Sequence, residues 1–212
     1  MDNCRNILID GIQFLKLSND IEKLELLLHF LNLIEKWNKA YNLTAIRDKE
    51  EMARLHILDS LAILPHLHGK RLIDIGTGAG LPGIPLAIFR PDMEFVLVDS
   101  NAKKTRFVQQ AILELKLKNV SVLHSRVEDY RPTEGFDSVT CRAFASMSDI
   151  LKLTAHLFAE DGVLLAMKGQ QLDEELAQIN QPYQIVPIIV PNVDAERCLV
   201  CISANNKNNV VI

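Results

Sequence analysis

The sequence predicts an α/β fold: a doubly wound, mostly parallel sheet of seven strands with an N-terminal helical extension. From about residue 70 onward, short apolar runs alternate with helical patterns, which is typical of parallel strands joined by crossover helices. The last two apolar runs have no helical pattern between them, which indicates an antiparallel pair that completes the sheet. Before residue 70, apolar residues recur three and four positions apart, as they do along one face of a helix.

The strands and their connecting helices follow from these patterns. The apolar runs predict strands at 72–75, 95–98, 120–123, 138–141, 163–167, 184–190 and 198–203. Helical patterns predict connections at 82–89, 102–115 and 147–158. We therefore expect a domain at 67–204 that holds the whole sheet, followed by a frayed tail at 205–212.

The N-terminal 66 residues are predicted to form a helical extension packed on this domain, with helices at about 4–17, 20–40 and 49–65. An apolar stripe marks the second helix: Ile21, Leu24, Leu28, Leu31 and Ile34. Asn19 with Glu22, and Asp48 with Glu51, have the spacing of N-terminal capping boxes.

Composition excludes several classes of protein. The chain has 212 residues, 48% of them hydrophobic and 24% charged, which is ordinary for a folded protein. No apolar run approaches the roughly 18 residues of a membrane span, and no secretory signal opens the chain, so we expect a cytoplasmic protein without membrane contact. The net charge of −4 means that any contact with nucleic acid depends on a local patch, for which Lys36, Lys39, Arg47, Lys103, Lys104 and Arg106 are candidates.

Four cysteines are present, two of them in a C-x-x-C pattern at Cys198 and Cys201. This pattern falls within a predicted strand, where residues three apart point to opposite faces. We therefore expect small core residues rather than a metal site, and no metal is predicted elsewhere. Nothing in the sequence indicates an oligomer, so a monomer is the default.

The strongest chemical signal is a glycine loop that follows the first strand, with Gly76, Gly78, Gly80 and Gly83. Glycines allow a backbone to turn tightly and to approach a ligand closely. The loop lies at the carboxyl end of a parallel strand, where α/β sheets bind their ligands.

Two cofactors compete for this loop. Gly78, Gly80 and Gly83 match the G-x-G-x-x-G pattern of dinucleotide sites. Gly76 and Thr77 lie between the strand and Gly78, so the match begins two residues too late after the strand. In addition, Pro82 and Pro85 remove N–H donors from the helix that would bind a pyrophosphate. Asp74-x-Gly76-x-Gly78-x-Gly80 instead resembles the first motif of class I methyltransferases, whose cofactor, S-adenosylmethionine, has no phosphate.

Acidic residues after the next two strands favour the second cofactor. Asp99 ends the second strand, where its carboxylate is placed to accept from both ribose hydroxyls; alternatively, it caps the helix that follows. The segment Arg126-Val127-Glu128-Asp129 follows the third strand, where a side chain is placed to flank an adenine and a backbone group to contact its edge. Together with the loop, these positions predict a nucleoside site across three strand ends.

Several ordered motifs resemble those of the bacterial ribosomal RNA small subunit methyltransferase G family, also called GidB. They run from Trp37 to Thr44, from His56 to Ser60, from Asp74 to Pro85, and on through Arg142-Ala143-Phe144-Ala145, Met167-Lys168-Gly169 and Glu196-Arg197. The resemblance covers about residues 30–203. One position departs from the family pattern, because Cys198 stands where a histidine is expected after Arg197.

The resemblance implies a class I, Rossmann-like methyltransferase that methylates N7 of one guanine in 16S rRNA near the decoding region, with 16S rRNA or the small ribosomal subunit as partner. It further implies that S-adenosylmethionine contacts Gly76, Leu81, Val127, Glu128 and Arg142. From the residues themselves we add Gly78, Gly80 and Asp99 to this cofactor site. Guanine N7 carries a lone pair and no proton, so the transfer requires positioning rather than a general base.

Arg142 and Lys168 are the candidate catalytic residues, since each ends a strand of the sheet. Arg142 is assigned a role in anchoring the cofactor or the substrate by hydrogen bonding, with a surface ion pair as the alternative. Lys168 contacts an RNA phosphate or guanine O6, or is a solvated loop lysine. His56 and Asp59 line the cofactor cleft or pair within their own helix. For Trp37 and Tyr41, core packing is the default and a stacking platform for RNA bases the alternative.

Three other functions stay open. The G-x-G-x-x-G match alone supports a nicotinamide-dependent oxidoreductase. A non-catalytic RNA-binding or ribosome-assembly module would keep a degenerate pocket, although the intact loop argues against it. Methylation of a small molecule or a protein is disfavoured only by the family resemblance.

Overall fold

Seven strands form one mixed sheet in the computed structural model, which describes residues 3–169 and 173–205. The strands are β1 (Arg71–Ile75), β2 (Glu94–Asp99), β3 (Val120–His124), β4 (Phe136–Arg142), β5 (Phe158–Lys168), β6 (Gln184–Ile188) and β7 (Arg197–Ser203). Their order is β3-β2-β1-β4-β5-β7-β6. The first five strands are parallel, and β7 runs antiparallel to both β5 and β6. The predicted fold class is confirmed.

Eight α-helices surround the sheet among the described residues. They are α1 (Cys4–Phe14), α2 (Ile21–Tyr41), α3 (Lys49–Met52), α4 (Asp59–Leu61), α5 (Gly83–Phe89), α6 (Ala102–Glu114), α7 (Met147–Thr154) and α8 (Asp173–Leu176). A π-helical segment, Ala53–Leu58, joins α3 to α4, and single 3-10 turns occur at Leu64–His66 and Val127–Asp129. In this part of the chain, no helix is both long enough and apolar enough to cross a membrane.

The N-terminal helices differ in detail from the sequence expectation. The stripe on α2 is buried at Leu24, Leu31 and Ile34, but Ile21 is 73% exposed. Asp20, not Asn19, caps α2 and accepts hydrogen bonds from the backbone of Glu22 and Lys23. The carboxylate of Asp48 accepts from Glu51 N as expected of a cap.

Three further boundaries were predicted differently. The first helix ends at Phe14, and Lys16 beyond it has a positive φ of 56° that a helix does not accommodate. The third predicted helix is interrupted by the π-helical segment. The helix expected at 147–158 ends at Thr154, because Phe158 begins β5 and pairs with Phe136 on β4. Of the tail expected to fray at 205–212, residues 206–212 lie outside the described part of the chain.

Each face of the sheet packs on its own apolar cluster, because side chains alternate along the strands. Leu72, Phe95 and Leu165 face a large cluster that also contains residues of α1, α2, α5 and α6. Ile73 and Val139 face a smaller cluster with residues of α7. The N-terminal helices therefore share one core with the sheet, while the domain boundary at residue 66 stays a prediction.

The two C-x-x-C thiols follow the same alternation. Cys201 lies in the larger cluster and Cys198 packs against the smaller one, so the expectation of opposite faces is confirmed. Burial raises the pKa of Cys201 to about 12, and both cysteines are free thiols. No group of three His, Cys, Asp or Glu side chains within residues 3–169 and 173–205 is placed to hold a metal ion.

Candidate active site

The glycine loop leaves β1 at the carboxyl edge of the sheet, where β2, β3, β4 and β5 also end. Gly76 and Gly78 have positive φ values of 64° and 60°. A Cβ on Gly76 would lie 2.4 Å from the ring of Phe144, whereas a Cβ on Gly78 would meet only Gly76 O at 3.9 Å. The backbone is therefore packed on one side at Gly76 and open at Gly78.

Asp74 holds this loop in place from inside the sheet. Its Oδ2 accepts hydrogen bonds from Thr77 Oγ1 at 2.6 Å and from Gly83 N at 3.0 Å. Its Oδ1 is buried and has no hydrogen-bond partner among the described residues. Burial raises the pKa of Asp74 to about 7, against the lowering effect of those two hydrogen bonds. Asp74 was not among the site residues predicted from the sequence, although an aspartate within an apolar strand is a signal of such a role.

Asp99 ties the end of β2 to the glycine loop. Its Oδ2 accepts from Gly78 N at 2.9 Å, and its Oδ1 accepts from Asn101 N at 2.8 Å. The cap of α6 is Asn101, whose side chain accepts from the backbone of Lys103 and Lys104. The helix-cap alternative for Asp99 is therefore wrong. Each carboxylate oxygen keeps a second lone pair for a ligand.

The other predicted cofactor residues near the glycine loop differ in how far they are buried. Gly80 has a positive φ of 77° and lies close to Ile84. The side chain of Leu81 is buried in the larger apolar cluster. Val127 is buried in the turn after β3, and Glu128 beside it is partly exposed, 3.4 Å from Arg126. Because β3, β2 and β1 are adjacent, Val127 and Glu128 lie on the same half of the sheet's carboxyl edge as the glycine loop.

A cavity of about 600 Å³ opens at the ends of β4 and β5 and at the beginning of β7. Apolar and charged residues line it together: Ile46, Leu55, His56, Asp59, Arg142, Ala143, Met167, Lys168, Gly169, Ile188, Ala195, Glu196, Arg197 and Cys198. Of the residues that the sequence assigned to cofactor binding or catalysis, Arg142 and Lys168 border this cavity. The structure thus divides them between two neighbouring regions, which we call the glycine-loop side and the charged cavity.

Asp59 joins two arginines at the wall of the charged cavity. Its Oδ2 lies 3.3 Å from Arg142 Nη1, and its Oδ1 lies 2.6 Å from Arg197 Nε. Arg142 Nη1 also donates to Leu55 O at 3.1 Å. Burial raises the pKa of Asp59, and both arginines oppose that shift. The guanidinium of Arg142 is therefore held in place from two sides.

His56 lies beside this group, in the π-helical segment. Its Nε2 is 2.8 Å from Thr44 Oγ1, and its Nδ1 is 3.4 Å from Arg142 Nη2. Burial and the charge of Arg142 lower the pKa of His56 to about 4, so the ring is neutral near pH 7. The alternative that Asp59 pairs within its own helix is wrong, because it pairs across to β4 and β7. Both residues line the charged cavity, and the alternative that they line the cofactor cleft stays a prediction.

Lys168 is fixed rather than solvated. Its Nζ donates to Glu175 Oε2 and to Ala145 O, each at 2.8 Å, and the side chain is 13% exposed. Glu175 also accepts from Met147 N, so this ion pair joins β5 to the start of α7. The interpretation of Lys168 as a solvated loop lysine is wrong.

The stretch after α2 shapes the cavity through Asn38. Its side chain accepts from Thr44 N at 3.0 Å and donates to Ile46 O at 3.2 Å, which positions Ile46 at the cavity. Trp37 packs 5.1 Å from Tyr41 and 5.8 Å from Phe107 between ring centroids, and both rings contact the larger apolar cluster. The default expectation of core packing is confirmed for this pair.

The strand order and the loop after β1 define the class I methyltransferase fold. A solved methyltransferase from Geobacter sulfurreducens matches with a TM-score of 0.60 at 13% identity, covering 82% of this chain and 90% of that one. A SAM-dependent methyltransferase from Aquifex aeolicus matches with a TM-score of 0.56 at 16% identity, covering 71% and 92%. At such identities the likeness shows the fold alone.

Sequence comparison identifies the family. Residues 23–198 match the GidB family, described as rRNA small subunit methyltransferase G. The ribosomal RNA small subunit methyltransferase G of Legionella pneumophila is 54% identical over 86% of this chain and 88% of its own. That of Chromobacterium violaceum is 50% identical over 90% and 93%. The chain belongs to the rRNA small subunit methyltransferase G family, and the predicted resemblance is confirmed.

Proposed function

We propose that the chain transfers the methyl group of S-adenosylmethionine to N7 of one guanine in 16S rRNA near the decoding region. The observation that carries this proposal is the juxtaposition of a glycine loop bound by Asp99 and a charged cavity beside it, in a chain of this family. We propose 16S rRNA or the small ribosomal subunit as the partner and, with it, a cytoplasmic location.

The residues on the glycine-loop side fit the cofactor. Gly78 leaves its backbone open to a ligand, Asp99 retains acceptor capacity for ribose hydroxyls, and the buried Oδ1 of Asp74 lacks a partner among the described residues. We assign Gly76, Gly78, Gly80, Leu81, Asp99, Val127, Glu128 and Arg142 to cofactor binding. When bound, S-adenosylmethionine supplies an electrophilic methyl group.

The reaction makes modest chemical demands on the side chains. Guanine N7 presents a lone pair without a proton, so no general base is required for its attack. The task that remains is orientation, which contributes up to about 7–11 kcal/mol in favourable cases. The ring of His56, neutral near pH 7, and the guanidinium of Arg142, paired with Asp59, suit this task because both are held in fixed positions.

We propose roles for the two candidate catalytic residues at the ends of β4 and β5. Arg142 anchors cofactor and base by hydrogen bonding from the junction of the two regions. Lys168 uses two of its three N–H donors on Glu175 and Ala145, which leaves one for guanine O6 or a phosphate. The target base must be displaced from its stack to enter the charged cavity.

A methyl-transfer assay tests the proposal. Small subunits and deproteinised 16S rRNA from cells that lack this gene are incubated with the protein and radiolabelled S-adenosylmethionine. We expect one methyl group per 16S rRNA, mapped to a guanine by cleavage specific for N7-methylguanosine. Label in a protein, in a small molecule or at another base atom would overturn the assignment. Calorimetry with S-adenosylmethionine and NAD on the same protein tests the oxidoreductase alternative, which requires NAD binding.

A further inference from the structure

Among the charged side chains that line the charged cavity, the cations are paired and one carboxylate is not. Arg142 and Arg197 share Asp59, and Lys168 pairs with Glu175, so each cation has an anionic partner. The remaining charged side chain on the wall belongs to Glu196, in the segment that leads into β7. Its carboxylate makes no hydrogen bond or ion pair with any residue that the structure describes, and the residue is exposed.

A free carboxylate in the same cavity as fixed cations matches the two edges of guanine. One edge carries the acceptors N7 and O6, and the other carries the donors N1–H and N2–H₂. A carboxylate has two acceptor oxygens and no donor, so it accepts from both of those donors at once. Adenine presents an acceptor at N1 and lacks the 2-amino group, so the same carboxylate would repel it.

We propose that Glu196 is the residue that selects guanine, by accepting hydrogen bonds from N1–H and N2–H₂ of the flipped base. The cationic side of the cavity, with Lys168 and Arg142, then faces O6, and N7 is left free to react. Arg197, held 2.6 Å from Asp59 Oδ1, fixes the backbone beside Glu196. This inference rests on the proposed function and adds to it an explanation of why guanine is the base selected.

The neighbouring side chain Asp194 provides a matched control. Glu196 borders both the charged cavity and a second cavity of about 510 Å³, whereas Asp194 borders only the second. Both residues are exposed and lie in the same short segment before β7. Asp194→Asn therefore removes an equal charge from the same segment without touching the proposed base contact.

The test combines enzyme variants with a base analogue. Small subunits are reconstituted with 16S rRNA that carries either guanine or inosine at the methylated position. Inosine lacks only the 2-amino group, and we compare kcat/KM for wild type, Glu196→Ala and Asp194→Asn. We expect wild type and Asp194→Asn to prefer guanine by about 10-fold or more, and Glu196→Ala to lose about 10- to 100-fold on guanine with little remaining preference.

Two outcomes would overturn the inference: a wild type that does not distinguish inosine from guanine, or a Glu196→Ala variant that keeps the wild-type preference. Unchanged S-adenosylmethionine affinity in Glu196→Ala, measured by calorimetry, excludes misfolding as the cause of a loss. Failure of the proposed function gives a different result, because wild type would then transfer no methyl group to the guanine substrate either.

Discussion

The glycine-loop side and the charged cavity share one edge of the sheet but are built in opposite ways. On the glycine-loop side, main-chain geometry makes the site, and its two aspartates bind backbone N–H groups of that loop. In the charged cavity, side chains make the site, and they are joined in ion pairs between different elements. The glycine-loop side leaves main-chain atoms accessible to a ligand, whereas the charged cavity holds charged side chains in fixed positions.

This difference follows from the ligands that each region is proposed to accept. A nucleoside cofactor is the same in every turnover, so close contact with backbone serves it well. A base that arrives as part of a large RNA must be oriented after it leaves its stack, which requires directional groups. Paired arginines supply such groups at a small entropic cost, because Asp59 already restricts both of them.

The largest expected effect tests the glycine-loop side. Gly78→Asp places a side chain on a residue with φ of 60° and adds a negative charge beside Asp99. A strained backbone position costs about 1–3 kcal/mol, and like charges add to this cost. We expect at least about 100-fold weaker S-adenosylmethionine binding by calorimetry.

Gly78→Ala separates strain from charge at the same position. It introduces the same backbone conflict without the carboxylate, so we expect a loss of about 10-fold. Wild-type affinity in Gly78→Asp would mean that the cofactor binds away from this loop.

The next effect concerns His56 in the charged cavity, whose pKa is lowered to about 4 in the folded protein. In the unfolded chain a histidine binds its proton near pH 6.5. Between these values the unfolded state binds more protons, so the contribution of His56 to the free energy of unfolding falls as pH falls from about 6.5 to 4. The full contribution, about 3 kcal/mol at most, is present above pH 6.5.

The matched variant is His56→Gln, which keeps a polar side chain near Thr44 but does not titrate. Urea unfolding at several pH values should show that wild type loses more stability on acidification than the variant. Asp74, whose raised pKa of about 7 acts with the opposite sign, is present in both proteins and cancels in the difference. Parallel stability curves from pH 7 to pH 4 would contradict the assignment of a neutral, buried His56.

A smaller effect is expected at the junction of the two regions. Arg142→Ala removes hydrogen bonds from a charged donor, each of about 1.5–3 kcal/mol, so kcat/KM should fall about 10- to 100-fold. The fold should persist, because Asp59 keeps Arg197 at 2.6 Å as a partner. Arg5→Ala, which breaks an exposed ion pair with Glu25, serves as the control and should keep full activity. Full activity in Arg142→Ala would remove this residue from the site.

The two regions also differ in how far the sequence predicts them. Gly76, Gly78 and Gly80 lie within five consecutive residues, and the strand before them is marked by its apolar run. A local pattern of this kind is visible without a structure, as is the placement of Asp99 at the end of the next strand. The parallel order of the strands then brings these positions to one edge.

The charged cavity could not be predicted in the same way, because the contacts of Asp59 join residues far apart in the chain. Asp59 meets Arg142 across 83 positions, and no spacing in the sequence signals that pair. The π-helical segment at Ala53–Leu58 also changes which side chains share a face, so reading His56 and Asp59 on an α-helix suggested the wrong partners. The sequence does place Arg142 and Lys168 at strand ends, so their position at the carboxyl edge of the sheet could be predicted.

The smallest expected effect separates two roles of Lys168. Lys168→Met and Glu175→Gln each abolish the same partly exposed ion pair, so each should lower the free energy of unfolding by up to about 1 kcal/mol. Only Lys168→Met also removes an ammonium group from the charged cavity. If Lys168 contacts the base or a phosphate, Lys168→Met should lose about 10-fold more activity than Glu175→Gln. Equal losses of activity in the two variants would show that the lysine acts solely by fixing the segment from Ala145 to Met147, and the charged cavity would then present Arg142 as its one proposed catalytic cation.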